Sequence, residues 1–158
     1  MRVEYINPFV EAAFNVLNEV LGGGVVRGDL YLKESSVKIL GVAALVGLAG
    51  DVEGRVIFDM SPATALKVAG TMNGGEVFKT LDEMAKSTIT ELANMIAAQA
   101  VTKLHEQGFK FDLTPPALFT GDNMEIANTL KIEALIVPME LGANGKIEVN
   151  VVIRERIT

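Results

Sequence analysis

The sequence predicts an α+β fold, with mixed α/β as the looser alternative. Three observations carry that expectation. Two long stretches, Phe9 to Leu21 and Leu81 to Gln107, place apolar residues at helical spacing. Between and after them run strand-like segments closed by Gly-Asp and Asn-Gly turns, the connections of antiparallel hairpins. Neither strand–helix–strand repetition nor a Gly-x-Gly-x-x-Gly fingerprint points to a dinucleotide fold. At 158 residues, without repeat, linker or low-complexity segment, residues 1–158 read as a single domain.

Asn7-Pro8 reads as an N-cap followed by proline at the first helical position. Phe9, Val10, Ala13, Phe14, Leu17, Val20 and Leu21 then give one apolar face, and Gly22-Gly23-Gly24 ends the helix. The triple glycine follows a helix and lacks a Gly-Lys-Ser/Thr ending, so it is read as a turn and not as a phosphate loop. Val25 to Lys33 and Val37 to Ala49 are expected strands, divided by Glu34-Ser35-Ser36. Gly50-Asp51 turns the chain into Glu53 to Met60, where Val56, Phe58 and Met60 alternate with Arg55, Ile57 and Asp59. Ser61-Pro62 starts a helix through Ala65, Leu66, Val68, Ala69 and Met72 that stops at Asn73-Gly74-Gly75.

The central helix, Leu81 to Gln107, has Thr80 as N-cap with Glu83 completing a capping box, and Gly108 ends it after about seven turns. At 100° per residue, Leu81, Ala85, Thr88, Ile89, Leu92, Ala93, Ile96 and Ala100 share one arc. Glu83, Ser87, Thr90, Glu91, Asn94, Ala98 and His105 share the opposite arc. Beyond it, Pro115-Pro116 between Phe109–Thr114 and Ala117–Thr120 marks an irregular loop or an edge, followed by a turn at Gly121-Asp122-Asn123. Leu130 to Leu141 and Ile147 to Ile153 are the last strands, joined at Gly142-Ala143-Asn144-Gly145.

Composition narrows the function. With 49% hydrophobic residues the chain has ample material for a core. The absence of cysteine excludes disulfides and thiolate metal sites. A net charge of −6, with no basic patch, argues against a nucleic-acid partner. The apolar run Ile39 to Gly50 is too short to span a bilayer, and Met1-Arg2 leads into Glu4 and Asn7 without a signal-peptide pattern. A soluble, cytoplasmic protein with no membrane partner is expected.

Few residues are placed for chemistry. The lone histidine, His105, lies on the exposed arc as a solvated residue, roughly 27 Å along the axis from Ser87, which rules out a triad. Asp51, Glu53 and Asp59 do not converge as a metal site. What remains is Glu91 with Asn94, side by side at i and i+3 among the small residues Ser87, Thr90 and Ala98. Asparagine is a poor helix former, because its amide competes for backbone hydrogen bonds. Its amide can hold a water in line with an electrophile, and the carboxylate can pair with a partner lysine. A solvated helix face with no function would present the same pair.

Ser87-Thr88-Ile89-Thr90-Glu91-Leu92-Ala93-Asn94-Met95 follows the pattern Asp/Ser-x-x-x-Glu-x-x-Asn. With Gly50-Asp51-Val52-Glu53-Gly54-Arg55-Val56, Ala63-Thr64-Ala65-Leu66-Lys67-Val68 and Thr114-Pro115-Pro116, it resembles the CheX branch of the CheC/CheX/FliY chemotaxis phosphatases. The resemblance implies a CheC-like fold, a largely antiparallel sheet packed against two long helices plus a shorter one. It implies hydrolysis of the aspartyl phosphate of a phosphorylated CheY-type response regulator, with Asn94 orienting water and Glu91 anchoring a regulator lysine. Ser87, Thr90 and Ala98 would face the regulator; Ala98 stands where many relatives carry glycine. No cofactor or metal of the chain's own is implied, Mg²⁺ being expected in the regulator, and a homodimer through sheet edges is expected to suit the late strands. Two alternatives stand beside it: a non-catalytic receiver-domain or flagellar-switch binding module that uses the same helix face, and a structural homodimer with no such partner.

Overall fold

A computed structural model describes residues 3–33, 37–127 and 132–156. In chain order the elements are α1 (Val3–Leu21), β1 (Val26–Arg27), β2 (Tyr31–Lys33), β3 (Val37–Lys38), β4 (Val42–Gly50), β5 (Val52–Met60), α2 (Pro62–Met72) and α3 (Glu83–Glu106). They continue with β6 (Phe111–Leu113), β7 (Ala117–Thr120), β8 (Glu125–Ile126), β9 (Ala134–Glu140), a 3₁₀ turn (Gly142–Asn144) and β10 (Lys146–Glu155). The strands form one antiparallel sheet in the order β1-β9-β10-β5-β4-β6, with β2 also on β9 and β7 also on β4; β3 and β8 form a separate ribbon. The fold is α+β, as expected.

Alternation along β5 and β10 sorts residues between two faces. Val56, Phe58, Met60, Val149 and Val151 point inward to one core with the buried residues of all three helices. On the outer face the β3–β8 ribbon covers Ala43 and Ile57 through Ile39, Met124 and Ile126.

The helix ends show what local signals decide. Ser61 caps α2 by accepting from the Thr64 amide (3.1 Å), as its sequence predicts. Asn73 closes α2 and also ties it to α3, its side-chain amide donating to Ala69 O and Thr88 Oγ1 at 2.8 Å each. The N-cap of α3 is Asp82 and not Thr80: its carboxylate accepts from Ala85 N (2.9 Å), so the helix starts at Glu83 and no Thr80–Glu83 capping box forms. A carboxylate at that place also complements the helix dipole. The first helix begins at Val3, five residues before Pro8. Proline in a helix sacrifices a backbone bond, and packing offsets it. Tyr5 and Ile6 are buried, the Tyr5 ring meets Phe109 edge-on at 4.8 Å, and its hydroxyl donates to Glu155 (2.6 Å).

Two expected strands are interrupted, and the stretch around Pro115-Pro116 is a bulged edge, as expected. Val25–Lys33 splits into β1 and β2 across from Pro138, which has no N–H; Gly28 N donates instead to Pro138 O (2.8 Å). Val37–Ala49 splits at Gly41, whose φ of 131° suits glycine and whose missing side chain makes room for Pro62. The edge strand changes register between Leu48↔Leu113 and Leu45↔Ala117, one residue being bulged out at Pro115-Pro116. Leu130 to Leu141 shortens to β9, residues 130 and 131 lying outside the described residues, as does Glu34-Ser35-Ser36. Neither late strand is a free edge: β10 lies between β9 and β5, and β9 is flanked by β10 and by β1 and β2. The expected pairing of two copies through the late strands is therefore corrected.

Asp59, on the outer face, is buried to 2% exposure directly opposite Glu148. Its Oδ1 accepts from Leu40 N (2.8 Å), while its Oδ2 has no partner. Burial, reinforced by Glu148, pushes the carboxyl up from 3.8 to about 6. A raised carboxyl pKa means that the folded state binds the proton more tightly than the unfolded one. The stabilisation is therefore complete below the unfolded pKa and is lost as pH rises through about 6. Asp59→Asn keeps the acceptor for Leu40 and removes the charge. Urea unfolding from pH 4.5 to 7.5 should show the variant gaining on the wild type with pH, by on the order of 2–3 kcal/mol at the upper end.

Candidate functional site

The long helix α3 is held by one stripe and displays the other. Ala85, Ile89, Leu92, Ala93, Ile96, Ala97, Ala100 and Leu104 are buried. Ser87, Glu91, Asn94 and Ala98 are exposed and Thr90 is half-buried. Thr88, expected in the core arc, is half-buried, since its hydroxyl serves as acceptor for Asn73.

Beside the exposed stripe runs the bulged edge strand. Thr114 fixes it to β4, its amide donating to Gly47 O (3.0 Å) and its Oγ1 accepting from Gly47 N (2.8 Å). The paired prolines then swing β7 alongside α3. Between them lies a groove of about 380 Å³, walled by Glu83, Lys86, Ser87, Thr90, Glu91 and Asn94 on the helix and by Pro116, just before β7, with Leu118 and Thr120 on it. Ser87, Thr90, Glu91 and Asn94 are thus brought together, while Ala98 lies one turn beyond the lining. The strand wall is not among the residues that the sequence marks for the site. Its signal was the spacing of residues 116, 118 and 120, which puts them on one face of a strand.

Within the groove the polar groups differ in freedom. Thr90 Oγ1 donates to Lys86 O (2.9 Å), and Lys86 reaches Glu83 at 3.8 Å, a loose and exposed pair worth little. Among the described residues, neither Glu91 nor Asn94 is engaged in a hydrogen bond or ion pair. They stand about 4.5 Å apart along the axis, a carboxylate acceptor beside an amide that donates and accepts.

The other titratable candidates are occupied elsewhere. His105 is exposed but not simply solvated: its Nε2 lies 3.2 Å from Phe111 O and its ring meets Phe111 edge-on. Asp51 accepts from Lys110 N, Glu53 pairs with Arg154 and Asp59 accepts from Leu40 N, three separate places. Among the described residues no group of three or more His, Cys, Asp or Glu could hold a metal ion. The groove offers a positioning pair with no histidine or cysteine among its lining residues to form a nucleophile–base dyad.

The class of protein follows from comparison with solved structures. A CheC-like superfamily protein from Shewanella sp. PV-4 superposes with a TM-score of 0.86 at 26% identity, over 98% of this chain and 99% of that one. The CheX of a CheX–CheY–BeF₃–Mg²⁺ complex from Borrelia burgdorferi is 46% identical, with a TM-score of 0.85 over 98% of this chain and 100% of that one. The profile of the family described as chemotaxis phosphatase CheX matches residues 42–140. The CheY-P phosphatase CheX of Thermotoga maritima is 33% identical over 130 residues, 80% of this chain and 81% of that protein. This chain belongs to the CheX family.

Because Asn94 is exposed and unengaged, its side chain contributes nothing to the fold, and alanine is the better helix former. Asn94→Ala should leave stability unchanged or raise it by roughly 0.5 kcal/mol in urea unfolding. A loss of about 1 kcal/mol or more would show that the amide has a structural role.

Proposed function

We propose that this protein hydrolyses the aspartyl phosphate of a phosphorylated CheY-type response regulator, completing its active site with the regulator's own groups. The observation that carries the reading is the free Glu91–Asn94 pair on the groove between α3 and β7. The names of the relatives support it, one a CheY-P phosphatase and one a CheX in complex with CheY, BeF₃ and Mg²⁺.

Asn94 enters the regulator's site. Its carbonyl accepts a hydrogen bond from a water molecule and orients the oxygen opposite the aspartate–phosphorus bond. The P–O bond to water forms as the P–O bond to aspartate breaks, releasing inorganic phosphate and a free carboxylate. Mg²⁺ held by the regulator would neutralise the charge on the phosphoryl oxygens, leaving this chain to position the water. Glu91, one turn earlier, accepts from a regulator lysine and fixes the register of docking, with Ser87 and Thr90 as neighbouring contacts and Ala98 at the margin. Phosphoryl transfer needs positioning and charge stabilisation more than covalent catalysis, and an amide on a rigid helix supplies positioning.

The reading places the protein in the cytoplasm with its regulator; among the described residues no helix is long and apolar enough to cross a membrane. A homodimer built through sheet edges would use β1–β2, β6–β7 or the β3–β8 ribbon, since β9 and β10 are interior to the main sheet.

The test is the lifetime of the phosphorylated receiver domain, with and without this protein. Wild-type protein should shorten it. Asn94→Ala should lower kcat by about 100-fold or more while binding persists, since the water loses its only orienting group on this side. Glu91→Ala should chiefly raise KM, by about tenfold, through loss of a charge-assisted hydrogen bond. Full activity in the Asn94 variant would refute the mechanism.

A further inference from the structure

Met84 is 55% exposed, the sole large apolar side chain of the 24-residue helix α3 left in that state among the described residues. Its position on the helix is specific. Met84, Ser87, Glu91, Asn94 and Ala98 follow one another at spacings of three and four, so they form a single straight stripe. Met84 therefore lies two turns before Glu91, about 10 Å along the axis. Its neighbour Thr88 turns its hydroxyl back to Met84 O (2.8 Å), so no polar group of that side chain competes for the surface beside it.

We propose that Met84 is an apolar anchor for the phosphorylated receiver domain, extending the docking face from the Glu91–Asn94 pair to the helix N-terminus. The proposal rests on the function proposed above and names a specificity determinant for it. The groups along the stripe divide the work by chemistry. Asn94 meets the phosphoryl group, Glu91 a lysine, and Met84 an apolar spot on the receiver two helical turns away from that lysine. Methionine suits this task, because its flexible, polarizable thioether adapts to a partner surface and is enriched at interfaces. The occupant is the receiver and not a second copy, because Met84 is continuous with the pair that addresses the phosphoryl group. At the second position of the helix a change to aspartate is well tolerated by the fold, since a carboxylate there favours the helix dipole.

The experiment measures affinity for a cognate receiver domain charged with BeF₃⁻ and Mg²⁺, a stand-in for the phosphorylated state that involves no turnover. Met84→Asp should weaken binding by about tenfold or more, as loss of a buried apolar anchor does, and Met84→Leu should restore it to within about twofold. Affinity unchanged in Met84→Asp would overturn the proposal. So would a change confined to self-association, measured by sedimentation in the absence of the receiver. Hydrolysis is followed separately with wild-type protein. If it fails to shorten the phosphate lifetime while Met84→Asp still weakens binding, the anchor stands and the catalytic reading falls.

Discussion

The exposed face of α3 is fixed by what lies behind it. Ile89, Leu92, Ile96 and Leu104 are at most 1% exposed, and alanines between them let α1 approach with Ala12 and Ala13. Burying four such side chains is worth on the order of 10 kcal/mol before entropy is charged against it. Holding an asparagine in mid-helix costs about 0.5 kcal/mol relative to alanine. The core therefore decides the rotation of the helix and the asparagine follows. Turning α3 by one residue would bury Glu91 or expose Leu92, and a close-packed interior has no intermediate arrangement to offer. Asn94 is aimed by leucines and isoleucines that never meet the partner.

That dependence explains what could be read from the chain. The buried and exposed arcs of α3 are set by spacing along one element, so periodicity recovers them, and Ser61 and Asn73 act within a few residues of themselves. The breaks in the strands are different. Pro138 interrupts β1–β2 because its missing N–H faces that neighbour, a fact set by the pairing and not by residues 25–33. Gly41 matters because Pro62 lies against it. Pro8 would start a helix on local grounds, yet Tyr5 reaches Phe109 and Glu155, residues more than a hundred positions away, and the helix runs back to Val3. Half of the groove was hidden for the same reason. Pro116, Leu118 and Thr120 become a wall only once β7 is known to pair with β4 beside α3.

The two walls of that groove have different freedoms, and this constrains how a partner is met. A bare strand edge invites another strand. Here the edge is short: β6 has three residues and β7 four, and between them Pro115 and Pro116 supply no donor. Strand addition at this edge would find its ladder cut at the bulge. The helix wall instead offers side chains of defined chemistry on a backbone that is fully hydrogen-bonded within itself. In the proposed reading, a partner placed in the groove is selected by side-chain recognition along α3, with Pro116, Leu118 and Thr120 forming the opposite rim. Rigid display of this kind suits a task in which an amide must be held to a fraction of an ångström against chemistry that takes place on another protein.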